Sequence, residues 1–147
     1  DEAMAILRMS EKAGLVHNIS NCEGKIQTLC NCCSCCCGVL NAVKRGFTNT
    51  GAPSRYQSVL QEDECTLCGA CVEVCPVGAL TIPNGKLVLA AEACLGCGLC
   101  VSRCAPRALR LSLRAKTPKI YPTNDALFRR INMEAMLALA CRKITGR

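Results

Sequence analysis

A cysteine pattern occurs twice in this sequence at an offset of 29 residues, and it leaves few folds open. The first copy reads Cys65-Thr-Leu-Cys68-Gly-Ala-Cys71-Val-Glu-Val-Cys75-Pro-Val-Gly-Ala79-Leu80. The second reads Cys94-Leu-Gly-Cys97-Gly-Leu-Cys100-Val-Ser-Arg-Cys104-Ala-Pro-Arg-Ala108-Leu109. Eight of the sixteen positions agree without a gap, all four cysteines among them. An internal repeat of this kind marks a duplicated structural unit. With 16 cysteines in 147 residues, the choice lies between a disulfide framework and thiolate ligation of metal. Cysteines crowded into one short loop are poorly placed to pair as disulfides. Structural zinc favours two separated Cys-x2-Cys pairs rather than a 2-2-3 spacing. The spacing therefore points to metal of another kind.

Three cysteines two residues apart wrap a loop around one corner of a cubane and leave one iron needing a further ligand. The run C-x2-C-x2-C-x3-C-P, present as Cys65, Cys68, Cys71, Cys75 and Pro76, resembles the bacterial two-[4Fe–4S] ferredoxins, over residues 60–115. That resemblance implies an α+β ferredoxin-like domain with pseudo-twofold symmetry. It also implies a ligand set in which the fourth cysteine of each motif serves the other cluster. Cluster I would take Cys65, Cys68, Cys71 and Cys104; cluster II would take Cys94, Cys97, Cys100 and Cys75. The second motif departs from the family by reading Cys104-Ala105-Pro106 where Cys-Pro is expected, which bears on the local turn and not on the ligand. The chemistry implied is one-electron transfer, tuned by burial, by N–H bonds to sulfur and by nearby charge. Glu62, Asp63 and Glu64 precede cluster I, while Arg103, Arg107 and Arg110 follow cluster II. Charge alone would then lower the first potential and raise the second.

The intervening Ala79–Leu89 segment carries Asn84-Gly85 between apolar runs, a hairpin signal. Ala108–Leu113 alternates as a half-buried strand does, with Ser54–Leu60 as its counterpart. Upstream, Asp1–Ala13 reads as an amphipathic helix closed by Gly14, Lys25–Leu29 as a short strand and Val39–Arg45 as helical. Gly46–Arg55 reads as a linker. A basic linker after Thr117-Pro118 leads to a helix over Asp125–Ile144, N-capped by Asn124. Three segments follow: 1–53, a cysteine-rich α/β segment; 54–116, the ferredoxin domain; and 117–147, a basic linker and helical tail. Because the chain begins at Asp1 rather than methionine, an upstream portion, and any targeting peptide with it, is expected.

Cys30-Asn-Cys32-Cys33-Ser-Cys35-Cys36-Cys37-Gly38 places six thiols in eight residues. If this run is helical from Cys32, then Cys32, Cys33, Cys36 and Cys37 share a face. Cys30, Cys32, Cys33, Cys36 and Cys37 are the candidate ligands of an additional Fe–S cluster, with redox thiols or another metal as the alternative. The segment resembles the N-terminal part of a group of ferredoxin-domain proteins with the same Cys-Asn-Cys-Cys-x-Cys-Cys-Cys-Gly run. Lone Cys141 lies on an apolar helix side with Met133, Met136, Leu137, Ala140 and Ile144 and reads as core packing. His17, the sole histidine, reads as structural.

Charge is unevenly spread. Residues 1–100 carry seven basic and nine acidic side chains; residues 101–147 carry eleven and two. Eight thiolates and two oxidised clusters would bring the formal +7 to about +3. The basic C-terminal third suits docking to an acidic redox partner within an oxidoreductase complex. No apolar run approaches a membrane span. Basic residues are not interleaved with aromatics and no complete helix-turn-helix is visible, which argues against nucleic acid. No general base, nucleotide loop or flavin site is apparent, so the chain reads as an electron carrier or subunit rather than an enzyme. An Fe–S redox or oxygen-sensing regulator is the alternative. A reducing compartment, the cytoplasm of an anaerobe, fits thiols that must remain free.

Overall fold

The computed structural model describes residues 1–24, 26, 28–47 and 52–145, with side chains at all of these except 135 and 138–145. Four of the expected linker residues (48–51), two of the expected strand Lys25–Leu29, and the side chain of Cys141 lie outside that set. The chain divides into two compact units, one formed by Asp1–Asn18 with Cys30–Pro118, the other by Ile19–Leu29 with the chain from Lys119 on.

In the first unit, α1 (Glu2–Lys12) ends as expected, with Gly14 at a φ of 78°. It buries Ser10, while Met4, Ile6 and Met9 stay exposed. Its C-terminal turn is held by polar contacts: Ser102 Oγ donates to the Glu11 carboxylate, and Arg103 donates to the Lys12 carbonyl. β1 (Val16–Ile19) and β2 (Leu29–Cys32) form a two-stranded sheet. The strand thus runs into the cysteine cluster instead of ending at Leu29. Residues 34–36 turn, and α2 (Gly38–Lys44) follows. The helix expected from Cys32 is not formed: Cys32 still belongs to a strand, and Cys37 is extended at the N-cap, with ψ 117°.

The repeat sequence folds into β3 (Tyr56–Leu60), α3 (Ala70–Val74), β4 (Leu80–Thr81), β5 (Val88–Leu89), α4 (Leu99–Arg103) and β6 (Leu109–Leu113). β3 and β6 pair antiparallel from Tyr56↔Leu113 to Leu60↔Leu109. The Asn84-Gly85 hairpin forms, pairing Leu80 with Leu89 and Thr81 with Val88. A 3₁₀ turn at Pro83–Gly85 sits inside its loop.

The backbone repeats as the sequence does. Positive φ falls at Leu67 (55°), Gly69 (80°) and Gly78 (68°) in the first copy. It recurs 29 residues on at Gly96 (71°), Gly98 (84°) and Arg107 (60°). The turn after Cys104 therefore keeps the conformation of its counterpart despite Ala105-Pro106, with Arg107 standing where the first copy has glycine.

Two apolar clusters hold this unit. One joins Val16, Leu40 and Val43 to Val77, Ala79, Cys94 and Leu99; the other joins Leu80, Leu87 and Leu109 to Cys71 and Cys100. Among the described residues, only Leu40, Leu80 and Leu109 are large and fully buried, a small core for its length.

In the second unit, the backbone of Asn21 and Glu23 pairs with Tyr121 in a parallel bridge centred on Cys22, and Asn21 Nδ2 donates to the Lys119 carbonyl at 2.8 Å. α5 (Asn124–Thr145) is capped by Thr123, not Asn124. Thr123 Oγ1 accepts from the Ala126 N–H at 3.2 Å, because Asn124 Oδ1 is taken by the Cys22 thiol at 3.0 Å. Met133, Met136 and Leu137 are exposed. The apolar side expected around Cys141 is thus open at these three positions. Among the described residues, no helix is long and apolar enough to cross a membrane.

Candidate metal centre

Each motif loop is followed by a glycine in the left-handed region and a five-residue helix, and each helix ends at its fourth cysteine. α3 starts beside Cys71 and stops at Cys75, four residues and about 6 Å of helix rise later. That step carries the chain from one cavity to another. One cavity is lined by Cys65, Cys68, Cys71 and Cys104, with Ile82, Leu87 and Leu109. A second is lined by Cys94, Cys97, Cys100 and Cys75, with Leu80, Leu89 and Leu99. Each cavity therefore receives three cysteines from one motif and the fourth from the other.

The donor set suits a cluster larger than one ion. Among the described residues, the eight cavity cysteines include no three whose sulfurs all lie within 4.8 Å of one another, whereas ligands of a single tetrahedral ion sit about 3.8 Å apart at Zn–S lengths. Four thiols spread over an apolar cavity fit an iron–sulfur core with one iron for each thiolate. The Ala79 N–H donates to Cys75 Sγ at 3.2 Å, the kind of bond that stabilises a ligating thiolate. Cys71, Cys94 and Cys100 are buried, whereas Cys68 is exposed. Burial pushes the Cys97 thiol up to about 11 and raises those of Cys71 and Cys100.

Two contributors give little sign of themselves in the sequence. Ser58, only 3% exposed, places Oγ 3.1 Å from Cys100 Sγ. It lies 29 residues before Leu87, so one cavity has a hydroxyl where the other has a leucine; the offset was the available signal. Arg114 clips the second cavity to β3. Its guanidinium donates to the carbonyls of Ser54 (3.0 Å), Tyr56 (3.1 Å) and Cys94 (2.5 Å). Behind the same loop, a Cβ on Gly96 would collide with the Tyr56 carbonyl.

Two of the three acidic residues before Cys65 are ion-paired. Glu64 pairs with Arg110 at 3.2 Å and Glu62 with Lys86 at 3.1 Å, while Arg103 is turned to α1.

The Cys30–Cys37 run is split. Cys33, Cys35 and Cys36 bring their sulfurs within 4.8 Å of one another. Cys32 and Cys37 lie near each other, packed against the core around Leu40 and Cys94. Cys30 is exposed and lies outside the group of three. Cys35, absent from the expected ligand set, is central to the first group. The hydrogen bond shared by Cys33 and Cys35 holds Cys33 down to about 7 and Cys35 up to about 11. Burial raises Cys32, and the Leu40 N–H lowers Cys37. His17 Nδ1 meets Asn31 Oδ1 at 2.7 Å.

Residues 57–105 match the family model described as a 4Fe-4S dicluster domain. The chain is similar to the NADP-reducing hydrogenase subunit HndD of Solidesulfovibrio fructosivorans, 39% identical over 79 residues, 52% of this chain and 13% of that protein. It is similar to Ferredoxin-2 of Desulfomicrobium norvegicum, 46% identical over 33 residues, 22% of this chain and 56% of that protein. The chain thus spans only part of the length of these relatives. With the cysteine-lined cavities, these likenesses place a ferredoxin-like 4Fe–4S domain in the chain and support an iron–sulfur electron-transfer role.

Proposed function

We propose that the chain relays single electrons through two [4Fe–4S] clusters, one held by Cys65, Cys68, Cys71 and Cys104 and the other by Cys94, Cys97, Cys100 and Cys75. The observation that carries this reading is the exchange of the fourth cysteine between two apolar, four-cysteine cavities. Bound there, each cluster supplies a one-electron couple with little nuclear movement.

The residues of the chain do the rest. α3 and α4 each reach both cavities and keep them a short helix apart. Apolar walls exclude water. Exposed Cys68 makes the first cavity the port for exchange with a partner, while Val16, Leu40 and Val43 cover the side of the second. Residues 1–53, 54–116 and 117–147 then serve as cover, wire and docking tail.

The relative named as a hydrogenase subunit supports a place in an oxidoreductase complex. The basic residues after 101 would meet an acidic face of the partner. A reducing compartment such as the cytoplasm is the proposed setting.

The test is iron and acid-labile sulfide on anaerobically prepared chain, with EPR of the reduced form. About eight irons and two coupled spin systems are expected. Cys104→Ala should abolish the signal of the first-motif cluster although it lies in the second motif. Loss of the second-motif cluster instead would overturn the exchange of ligands.

A further inference from the structure

We propose that Cys33, Cys35 and Cys36 form a three-thiolate site for a single thiophilic divalent metal ion, distinct from the two cysteine-lined cavities. The turn between β2 and α2 builds it. The Cys37 N–H closes onto the Cys33 carbonyl at 3.2 Å, a one-turn loop that sets the side chains of residues 33, 35 and 36 together. Cys33 Sγ lies 2.7 Å from Cys35 Sγ, and Cys35 Sγ lies 3.6 Å from that of Cys36. These separations are at or below the edge of about 3.8 Å that a tetrahedral ion spans between thiolates at Zn–S lengths. They contrast with the cavity cysteines, whose sulfurs are spread around a larger body.

The remaining thiols of the run are engaged elsewhere. Cys32 and Cys37 pack against the core instead, and Cys30 lies outside the group. Three protein ligands leave a fourth tetrahedral position open to solvent. That arrangement resembles sites that accept an exchangeable ligand more than closed structural zinc sites. Because Cys35 and Cys36 are exposed, an ion or an incoming thiol can reach the site directly. Thiolate donors select a soft or borderline ion of the zinc and cobalt kind over magnesium or calcium. Binding releases the thiol protons to solvent as metal–sulfur bonds form, and no oxidation is involved.

The experiment uses the full chain, loaded with iron and sulfide and kept anaerobic, titrated with Co²⁺ alone. One equivalent should bind, with the intense thiolate-to-cobalt charge-transfer bands and the visible bands of tetrahedral cobalt. Cys35→Ser should weaken that binding by about 100-fold or more, at least the loss seen when a mere supporting contact is removed. Cys30→Ser should leave it unchanged, and the iron content should be the same in all three proteins. Both substitutions fall on exposed residues, so equal iron content also reports intact folding.

Three results would overturn the proposal. Cobalt binding indifferent to Cys35→Ser would place the ion elsewhere. Extra iron and sulfide lost with Cys35→Ser would make the site part of another cluster. A Cys33–Cys35 disulfide in the loaded chain would make it a redox pair. The iron count tests the two-cluster reading separately, so either idea can fail alone.

Discussion

Ser58 is the clearest chemical difference between the two cavities. A hydroxyl 3.1 Å from Cys100 Sγ donates to a ligating thiolate and lessens the charge it pushes onto iron, which favours the reduced state. A hydrogen bond worth about 0.5–1.5 kcal/mol corresponds to about 20–60 mV for a one-electron couple. Ser58→Ala should lower the potential of the cluster in the second cavity by that amount and leave the other unmoved. Redox titration followed by EPR measures both at once; an equal shift in both would assign the effect to general packing. Burial acts alike on parent and variant, so it drops out of the difference.

Backbone strain gives a second test on single residues. Leu67 and Arg107 hold φ values of 55° and 60°, where a side chain costs about 1–2 kcal/mol. Arg107→Gly should raise stability by about 0.5–1 kcal/mol after the entropy cost of glycine, read as a higher melting midpoint. Gly78→Ala meets open space, whereas Gly96→Ala meets the Tyr56 carbonyl. The first should cost only the strain, about 1–2 kcal/mol, and the second should also lose the cluster beside it. Equal effects would mean that the β3 backbone yields.

Among the elements, the β3–β6 pair and the hairpin were legible because their causes are local: alternation marked β6 and Asn84-Gly85 marked the turn. The short helices α3 and α4 were not, since each ends at the fourth cysteine of its motif, where the sequence suggests that a helix begins. The cysteine-rich run misled because helical spacing was its only visible period. What decides it is pairing of Leu29–Cys32 with Val16–Ile19 and the extended Cys37 that caps α2, neither of which leaves a local sign. The N-cap of α5 went to Thr123 for a similar reason, since Cys22, distant in sequence, occupies Asn124. Arg114 is the extreme case: nothing near it in sequence shows that its guanidinium reaches three carbonyls across β3 and the second motif. Arg114→Ala should cost about 2–3 kcal/mol, as loss of charge-assisted bonds to carbonyls left half-buried. Arg114→Lys should restore only part, because an ammonium cannot fork between carbonyls. Thermal melts of the loaded protein would measure the order parent, lysine, alanine. A lysine variant as stable as the parent would reduce Arg114 to a surface charge.

Taken whole, the molecule has few large buried apolar side chains, no tryptophan and four phenylalanine and tyrosine residues together. Eight cysteines face its cavities, three of them buried. Hydrophobic burial is a small part of what can hold such a chain, and ligation contributes folding free energy directly. The sign of the pH effect follows from the thiols. Without metal, the Cys97 thiol, raised to about 11 by burial, carries its proton throughout the neutral range, as do Cys71 and Cys100, which are shifted the same way. Metal must displace those protons, so binding strengthens as pH rises toward about 11 and weakens as it falls. Conversely, raised thiol values stabilise the metal-free fold below the ordinary thiol range and withdraw that support as pH climbs past it. Loaded and metal-free proteins should therefore respond oppositely to alkali. Stripping iron with a chelator at neutral pH should abolish most of the cooperative melt. Over a pH series, the iron chromophore should bleach progressively on the acid side. Any residual metal-free structure, followed by far-UV circular dichroism, should be lost on the alkaline side. If metal-free chain melts as sharply as loaded chain at neutral pH, the apolar clusters around Leu40 and Leu80 suffice alone, and the clusters are passengers in a fold that does not need them.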